Sequence, residues 1–385
     1  MPEGLALSSV KQILVGRPIP SNLAHHERLS KTTGLAVLSS DALSSVAYAT
    51  EEIVRTLILA GASALWLSTP IGFVIAGLLL VVAFSYRQTI HAYPNGGGAY
   101  VVAKENIGDL AGLVAAGALL IDYVLTVAVS IAAGVAAVTS ALPQWHVNRV
   151  EWCLAFLALI AVGNLRGVRE SGRIFAVPTY FFLAMMLCLI AAGMWRWAWG
   201  DIVVAPAEDV PMHAGTTALT AFLVLRAFAN GCTAMTGVEA VSNGVPAFRP
   251  PEAKNAAATL LAMAGLAVTL FVGITLLAQA YHVMPREDET VVSQLARSIF
   301  DGRGVPYYLV QVATMLILVL AANTAYSDFP RLASIVARDK YLPRQFMNQG
   351  DRLAFSNGIV VLSVLAGVLM VAFGGDTHAL IPLYM

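Results

Sequence analysis

The chain has 385 residues, of which 58% are hydrophobic and only 12% are charged, and its formal net charge is zero. Soluble domains carry roughly 25% charged residues, so this composition excludes an ordinary water-soluble fold and favours helices that face a lipid bilayer. A net charge of zero provides no basic field for nucleic acid, and we expect no nucleic-acid partner.

Apolar stretches of about twenty residues, the length that crosses a bilayer, recur along the chain. We expect no cleavable signal peptide, because the N-terminal segment, residues 1–31, is of mixed polarity. The predicted spans are 32–57, 64–90, 110–142, 152–164, 174–199, 218–245, 256–282, 306–328 and 356–373, and a tenth that begins near 378 and is cut off at Met385. The sequence therefore predicts an all-α polytopic membrane protein.

The charges of the loops predict the orientation of these spans. Lys and Arg concentrate in alternate loops, such as Arg249 and Lys254 after span six and Arg338 and Lys340 after span eight. The intervening loops are acidic, as at 287–289. Because basic loops stay on the cytoplasmic side, we predict a multi-pass protein of the cell membrane with a cytoplasmic N-terminus.

Two spans carry polar and flexible residues at mid-length. Span one contains the serine-rich run 39–45, and span six contains the run 230–239 with two glycines. Interrupted helices in the first and sixth positions predict two five-helix repeats of inverted topology, over 32–200 and 201–385. The alternative is a pair of polar helices that simply pack closely.

Charged side chains inside the spans are the second unusual feature. Asp41, Asp122 and Glu239 lie within spans one, three and six. A charge at the centre of a membrane helix costs about 2.5–3.5 kcal/mol on insertion scales, so such residues are rarely without function. The structural alternative is that Asp41 or Glu239 forms an ion pair with Arg226, which also lies in span six.

Hydroxyl groups accompany these acids at helical spacing, so that oxygen atoms share one helix face. The candidate residues are Asp41 and Tyr48 on span one, Asp122, Tyr123, Thr126 and Ser130 on span three, and Thr233, Thr236 and Glu239 on span six. Oxygen ligands with few nitrogen donors suit a hard cation such as a dehydrated alkali ion, and a buried carboxylate can also carry a proton. Alternatively, single hydroxyls such as that of Thr126 or Ser130 only bond their own helix.

Three motifs resemble the KimA-type potassium uptake proteins, a branch of the amino acid–polyamine–cation superfamily that is related to the KUP transporters. The run LSSDALSSVAY at 38–48 is similar to the first helix of this branch, and 231–248 is similar to its sixth helix. The glycine-rich AYPNGGGAY at 92–100 is similar to a signature shared widely with amino acid permeases.

This resemblance implies a leucine-transporter-type fold and proton-coupled potassium import by alternating access. It implies that Tyr48, Asp122, Thr126 and Thr236 bind potassium, that Tyr123, Ser130 and Thr233 lie nearby, that Asp41 and Glu239 carry the proton, and that Tyr384 closes the site from helix ten. It also implies two further membrane helices beyond helix ten, a soluble domain in many members, and homodimerisation through those portions.

Two other classes of function stay open. An amino acid permease of the same superfamily holds its substrate at a glycine-rich tract in helix one, whereas the tract here is serine-rich and contains Asp41, which would repel a substrate carboxylate. A membrane enzyme or receptor would need a catalytic constellation or a large soluble domain. We find no Walker P-loop and no HExxH motif, so we expect neither an enzyme nor a resident cofactor or metal.

Overall fold

A computed structural model describes residues 28–94, 96, 98–165, 172–202, 215–347 and 355–384. Most of the predicted N-terminal segment, residues 1–27, lies outside the described residues. So do Asn95 and Gly97 of the glycine-rich motif.

Every regular element longer than one bridge in the described ranges is helical. The first half of the chain forms α1 (Lys31–Leu38), α2 (Ser40–Leu57), α3 (Ser68–Ala92), α4 (Gly98–Asn106), α5 (Asp109–Ala141), α6 (Arg149–Leu165) and α7 (Gly172–Ala198). The second half forms α8 (Ala221–Gly231), α9 (Ala240–Asn243), α10 (Glu252–Ala280), α11 (Val291–Ile299), α12 (Val305–Arg338), α13 (Ser356–Ala372) and α14 (Thr377–Tyr384). Short 3₁₀ turns join several of these helices.

Seven helical stretches are long and apolar enough to cross a membrane, and they correspond to predicted spans two to eight. They are Ala62–Ala92, Asp109–Ala141, Pro143–Leu165, Phe175–Ala198, Ala221–Asn243, Glu252–Ala280 and Val305–Arg338. Span nine is the shorter apolar helix α13. The prediction of an all-helical, multi-pass membrane protein is confirmed.

Span one divides into two helices, but the interruption is much shorter than the polar run 39–45 suggests. Only Ser39 leaves the helical pattern, and α2 begins at Ser40. The backbone hydrogen-bond ladder nearly survives this point, since Ser39 N–H donates to Leu35 at 3.1 Å and Leu43 N–H donates to Ser39 at 2.9 Å. The hydroxyls of Ser44 and Ser45 bond the Asp41 carbonyl of their own helix instead of unwinding it.

Span six is interrupted over a longer distance, as predicted. Helix α8 ends at Gly231, a 3₁₀ turn occupies Cys232–Met235, and Thr236 is extended with ψ 151°. Gly237 then adopts φ 75°, a left-handed conformation that side chains disfavour. Eight residues therefore separate α8 from α9, and the polar groups at both helix ends are left without partners in their own helices.

The longest helices, α5 and α12, pack against each other through the middle of the bundle. They are in contact at Gly134, where a Cβ atom would lie at an ordinary van der Waals distance, 3.5 Å, from Leu318 Cβ. Helix α2 lies beside α8, α10 and α12. This packing brings the interrupted span six, α2 and α5 to one place in the interior.

Candidate functional site

The extended residue of span six meets the middle of α2 through a chain of hydroxyl groups. Thr236 Oγ1 lies 2.7 Å from Ser45 Oγ, and the Tyr48 hydroxyl donates to Ser45 Oγ at 3.1 Å. The Thr236 hydroxyl also reaches the Thr233 carbonyl at 2.9 Å. Two of the predicted ligands, Tyr48 and Thr236, are therefore joined by Ser45.

A second group of oxygens forms where α5 meets α14. Thr126 Oγ1 lies 2.7 Å from the Tyr384 hydroxyl, and Thr126 is 1% exposed. The Tyr384 hydroxyl also interacts with the Asp122 carboxylate, one turn earlier on α5. These contacts place the tyrosine of helix ten beside two of the predicted ligands on span three.

Asp41 packs directly against the interruption of span six. A Cβ atom on Gly237 would lie 2.7 Å from both Cβ and Oδ2 of Asp41 and 2.8 Å from the backbone nitrogen of Ala42. Asp41 is 5% exposed, and its Oδ1 has no hydrogen-bond partner among the described residues. Glycine is thus needed at 237 both for the backbone conformation and for the close approach of α2.

The three acids of the site face one another without a basic partner. Asp41 interacts electrostatically with Glu239 and Asp122, and Glu239 interacts with Asp122. Within the described part of the chain, the surroundings of these carboxylates include no Lys, Arg or His. Arg226 is exposed on α8, and it forms no ion pair with Asp41 or Glu239 among the described residues, so the structural alternative is not what the structure shows.

A cavity of about 420 Å³ opens beside these groups. Its polar lining comes from Tyr86, Asp122, Thr236, Glu239 and Tyr384, and the rest is mostly aliphatic. A molecule in this cavity would contact carboxylates and hydroxyls. Such a lining is expected for a site that binds a metal cation or an amine.

The remaining predicted residues lie at the edges of this arrangement. Ser130 is fully buried on α5, and its hydroxyl has no partner among the described residues. The Thr233 hydroxyl donates to the Asn230 carbonyl at 2.9 Å. The Tyr123 hydroxyl accepts from Asn243 Nδ2 at 3.3 Å, at the end of α9, and the residue does not line the cavity.

Two residues that the structure adds to the site were not among the predicted ligands. Ser45 joins Tyr48 to Thr236, and its position, four residues after Asp41 on one helix face, was a signal that could have identified it. Asp328 on α12 interacts electrostatically with Asp41 and Glu239 and is 9% exposed. Its proximity to Asp41 could not be predicted from local spacing.

The chain matches a family model described as amino acid permease over residues 29–385. It belongs to this family. The description names a family of permeases, which are proteins that carry solutes across membranes.

Curated relatives agree with the motifs. The potassium transporter KimA of Bacillus subtilis (strain 168) is 51% identical over 376 residues, which are 98% of this chain and 62% of that protein. The low-affinity putrescine importer PlaP of Escherichia coli (strain K12) is 22% identical over 280 residues, 70% of this chain and 58% of that protein. The resemblance to KimA-type proteins is confirmed, and the chain spans less than two thirds of the length of either relative.

Proposed function

We propose that this chain forms most of the transport unit of a secondary active transporter that imports potassium together with a proton by alternating access. The observation that carries the proposal is the meeting of three carboxylates and several hydroxyls at the interruption of span six, where no base from the described ranges accompanies them. The relative that is 51% identical is named a potassium transporter.

The oxygens of the site match the chemistry of a dehydrated potassium ion. Hydroxyls and a carboxylate replace the hydration shell, and the ion balances the negative charge that the protein leaves unpaired. We assign Tyr48, Asp122, Thr126, Thr236 and Tyr384 to this role, because their oxygens converge through the contacts with Ser45 and Tyr384. Ser130, Thr233 and Tyr123 support them from nearby positions.

Asp41 and Glu239 are the groups that we assign to the proton. Each belongs to the junction between α2 and span six, where a change in the position of one helix alters the environment of both acids. A bound proton and a bound ion each reduce the mutual repulsion of these carboxylates, so we propose that the protein changes conformation with both bound. The inward membrane potential supplies about 2.3 kcal/mol per charge per 100 mV.

The architecture that we propose is the leucine-transporter-type arrangement of two inverted five-helix repeats, 32–200 and 201–385, with a cytoplasmic N-terminus in a lipid bilayer. The interruptions at Ser39 and over 232–239 support this assignment, as do the basic loops. We also propose that the whole protein is a homodimer, on the family resemblance alone.

A positively charged amine is the second candidate substrate, ahead of a zwitterionic amino acid. Two observations favour it, namely the cavity of about 420 Å³, which exceeds the needs of one dehydrated ion, and the 22% identical putrescine importer. Carboxylates that lack basic partners suit an ammonium group as well as a metal cation. They disfavour an amino acid, because its own carboxylate would meet Asp41 and Asp122.

The test uses the full-length gene in a bacterium that lacks potassium uptake. We expect growth at low potassium to be restored, and Asp122→Asn to abolish this growth while the protein stays in the membrane. Failure of the wild-type gene to restore growth, with normal abundance in the membrane, would overturn the proposal. Uptake of labelled putrescine by the same cells would then support the amine.

A further inference from the structure

Two buried carboxylates at the far end of α2, on the side that we propose as extracellular, share one histidine. Glu51 and Glu52 are 2% and 3% exposed. The His378 ring lies between them, with Nδ1 bonded to Glu52 Oε1 and Nε2 3.3 Å from Glu51 Oε1. A neutral imidazole has only one N–H, so carboxylates at both ring nitrogens match an imidazolium. His378 thus occupies the position of a cation.

Two cavities lie beside this histidine. The outer cavity, of about 40 Å³, and the inner cavity, of about 20 Å³, are both lined by Glu51, Thr377 and His378. The inner cavity is also lined by Tyr48, one of the residues assigned to potassium. Since one water needs about 10–15 Å³, the inner cavity has room for one small ion.

Thr377 indicates that these cavities hold a ligand. Thr377 is only 5% exposed and lines both cavities. Its hydroxyl has no hydrogen-bond partner among the described residues. Buried hydroxyls are nearly always hydrogen-bonded or bound to water or an ion. The oxygens of Glu51 and Thr377 line the inner cavity, which has room for one small ion, and they are suitable ligands for an alkali cation.

Of the four other acids around the outer cavity, Glu287 is exposed, and the remaining three have arginine partners. Arg149 lies 3.9 Å from Asp376, Arg286 3.2 Å from Asp288, and Arg297 2.9 Å from Glu289. Glu51 instead accepts a backbone hydrogen bond from Val291 at 3.1 Å and relies on His378 for its balancing charge. Glu51 is therefore the buried carboxylate of this cavity whose charge an arriving cation can balance in place of His378.

The geometry points to an outer cation site, formed by Glu51 and Thr377 and closed by His378. This inference rests on the proposed function: the alkali ion that is imported binds at Glu51 before it reaches Tyr48. His378 competes with this ion for Glu51, and Glu52 holds the ring in the closed position. Removing the charge of Glu51 weakens the site, whereas removing the ring of His378 strengthens it.

The experiment measures the initial uptake of radioactive rubidium by the full-length protein in proteoliposomes at increasing external rubidium. Glu51→Gln, whose amide oxygen still accepts from Val291, should raise KM about tenfold, the cost of one charge-assisted contact. His378→Gln should lower KM severalfold, and maximal rates should stay within about twofold of wild type. A purely structural role for this triad would instead reduce the maximal rate of both variants.

Glu287→Gln is the matched control, because Glu287 lines the outer cavity but does not line the inner one or contact His378. Its KM should equal that of the wild type. Glu52→Gln should lower KM as His378→Gln does, and it replaces Glu51→Gln if that variant fails to fold. Unchanged KM in Glu51→Gln, or in both His378→Gln and Glu52→Gln, overturns the outer site, whereas absent uptake by the wild type overturns the proposed function.

Discussion

The acids at the centre of the bundle and the arginine-paired acids at its outer end are balanced in opposite ways. Asp41, Asp122 and Glu239 interact with one another and with hydroxyls, but among the described residues no base accompanies them. At the outer end, Glu289 accepts from Arg297 at 2.9 Å and from Ser293 at 2.9 Å, although it is only 5% exposed.

This difference separates charges that maintain the fold from charges that await a ligand. A buried carboxylate with an arginine partner is satisfied by the protein, and breaking the pair leaves an uncompensated charge. A buried carboxylate without a partner destabilises the empty protein, and a bound cation or proton removes this cost. Substitutions in the two regions should therefore affect different properties.

The largest effect on transport is expected from the centre. Asp122→Asn should abolish rubidium uptake and leave thermal unfolding unchanged or shifted upwards, because the substitution removes a charge that lacks a basic partner. Uptake by proteoliposomes and thermal unfolding of the same purified protein measure both properties. Asp376→Asn, at the outer end, is the control and should retain uptake; loss of stability without loss of uptake in Asp122→Asn would contradict the comparison.

The largest effect on stability is expected from the outer end. Arg297→Met leaves Glu289 without its partner and should lower the free energy of unfolding by about 3–5 kcal/mol. The double variant with Glu289→Gln should recover part of this loss, since no charge is then left uncompensated. Thermal unfolding measures these effects. A shift in the KM of rubidium, with stability unchanged, would be the opposite of what we expect.

The close contact between Asp41 and the interruption of span six can be tested by one methyl group. Gly237→Ala should lower stability by about 1–3 kcal/mol and reduce uptake, because the backbone is left-handed and the new Cβ collides with Asp41. Gly265→Ala on α10 is the control, since nothing lies within 4 Å of its Cβ position. Equal uptake and stability in the two variants would show that α2 does not approach span six in this way.

The smallest effect on stability is expected on the side that we propose as cytoplasmic, where the partly exposed ion pair between Lys104 and Asp339 lies. The ammonium of Lys104, 2.5 Å from Asp339, lowers the pKa of this carboxyl through its hydrogen bond. The contribution to stability is therefore present above the unfolded pKa of about 3.9 and is lost as pH falls through the lower folded value.

Lys104→Met should accordingly melt slightly below the wild type at neutral pH, and the difference should shrink below the unfolded pKa of about 3.9 and vanish once the pH falls below the lower folded pKa. Thermal unfolding of both proteins across this pH range is the measurement. Lys254→Met, which removes an exposed lysine elsewhere on the same side, should show no such convergence. A difference between Lys104→Met and wild type that persists at low pH would exclude the ion pair as its source.

Much of the site was accessible from local spacing. The buried acids, the Asp122 to Ser130 stripe and the long interruption of span six follow from rules that act within one helix. The extent of the interruption in span one could not be predicted in this way, because serines can either unwind a helix or bond its carbonyls. In the structure, Ser44 and Ser45 bond the Asp41 carbonyl. The same serine-rich sequence is compatible with an unwound segment and with a continuous helix, and the packing of α2 against its neighbours decides which of the two forms.

The sequence by itself determined the membrane class, the positions of most spans and the set of oxygen-bearing side chains, because hydrophobic length and helical periodicity are local properties. Only the tertiary structure decided which oxygens meet. Ser45 joins Tyr48 to Thr236, Asp328 approaches Asp41 from α12, and the imidazole of His378 bridges two acids that lie more than three hundred residues earlier in the chain. Such contacts depend on how separate helices pack, which no spacing within one helix specifies.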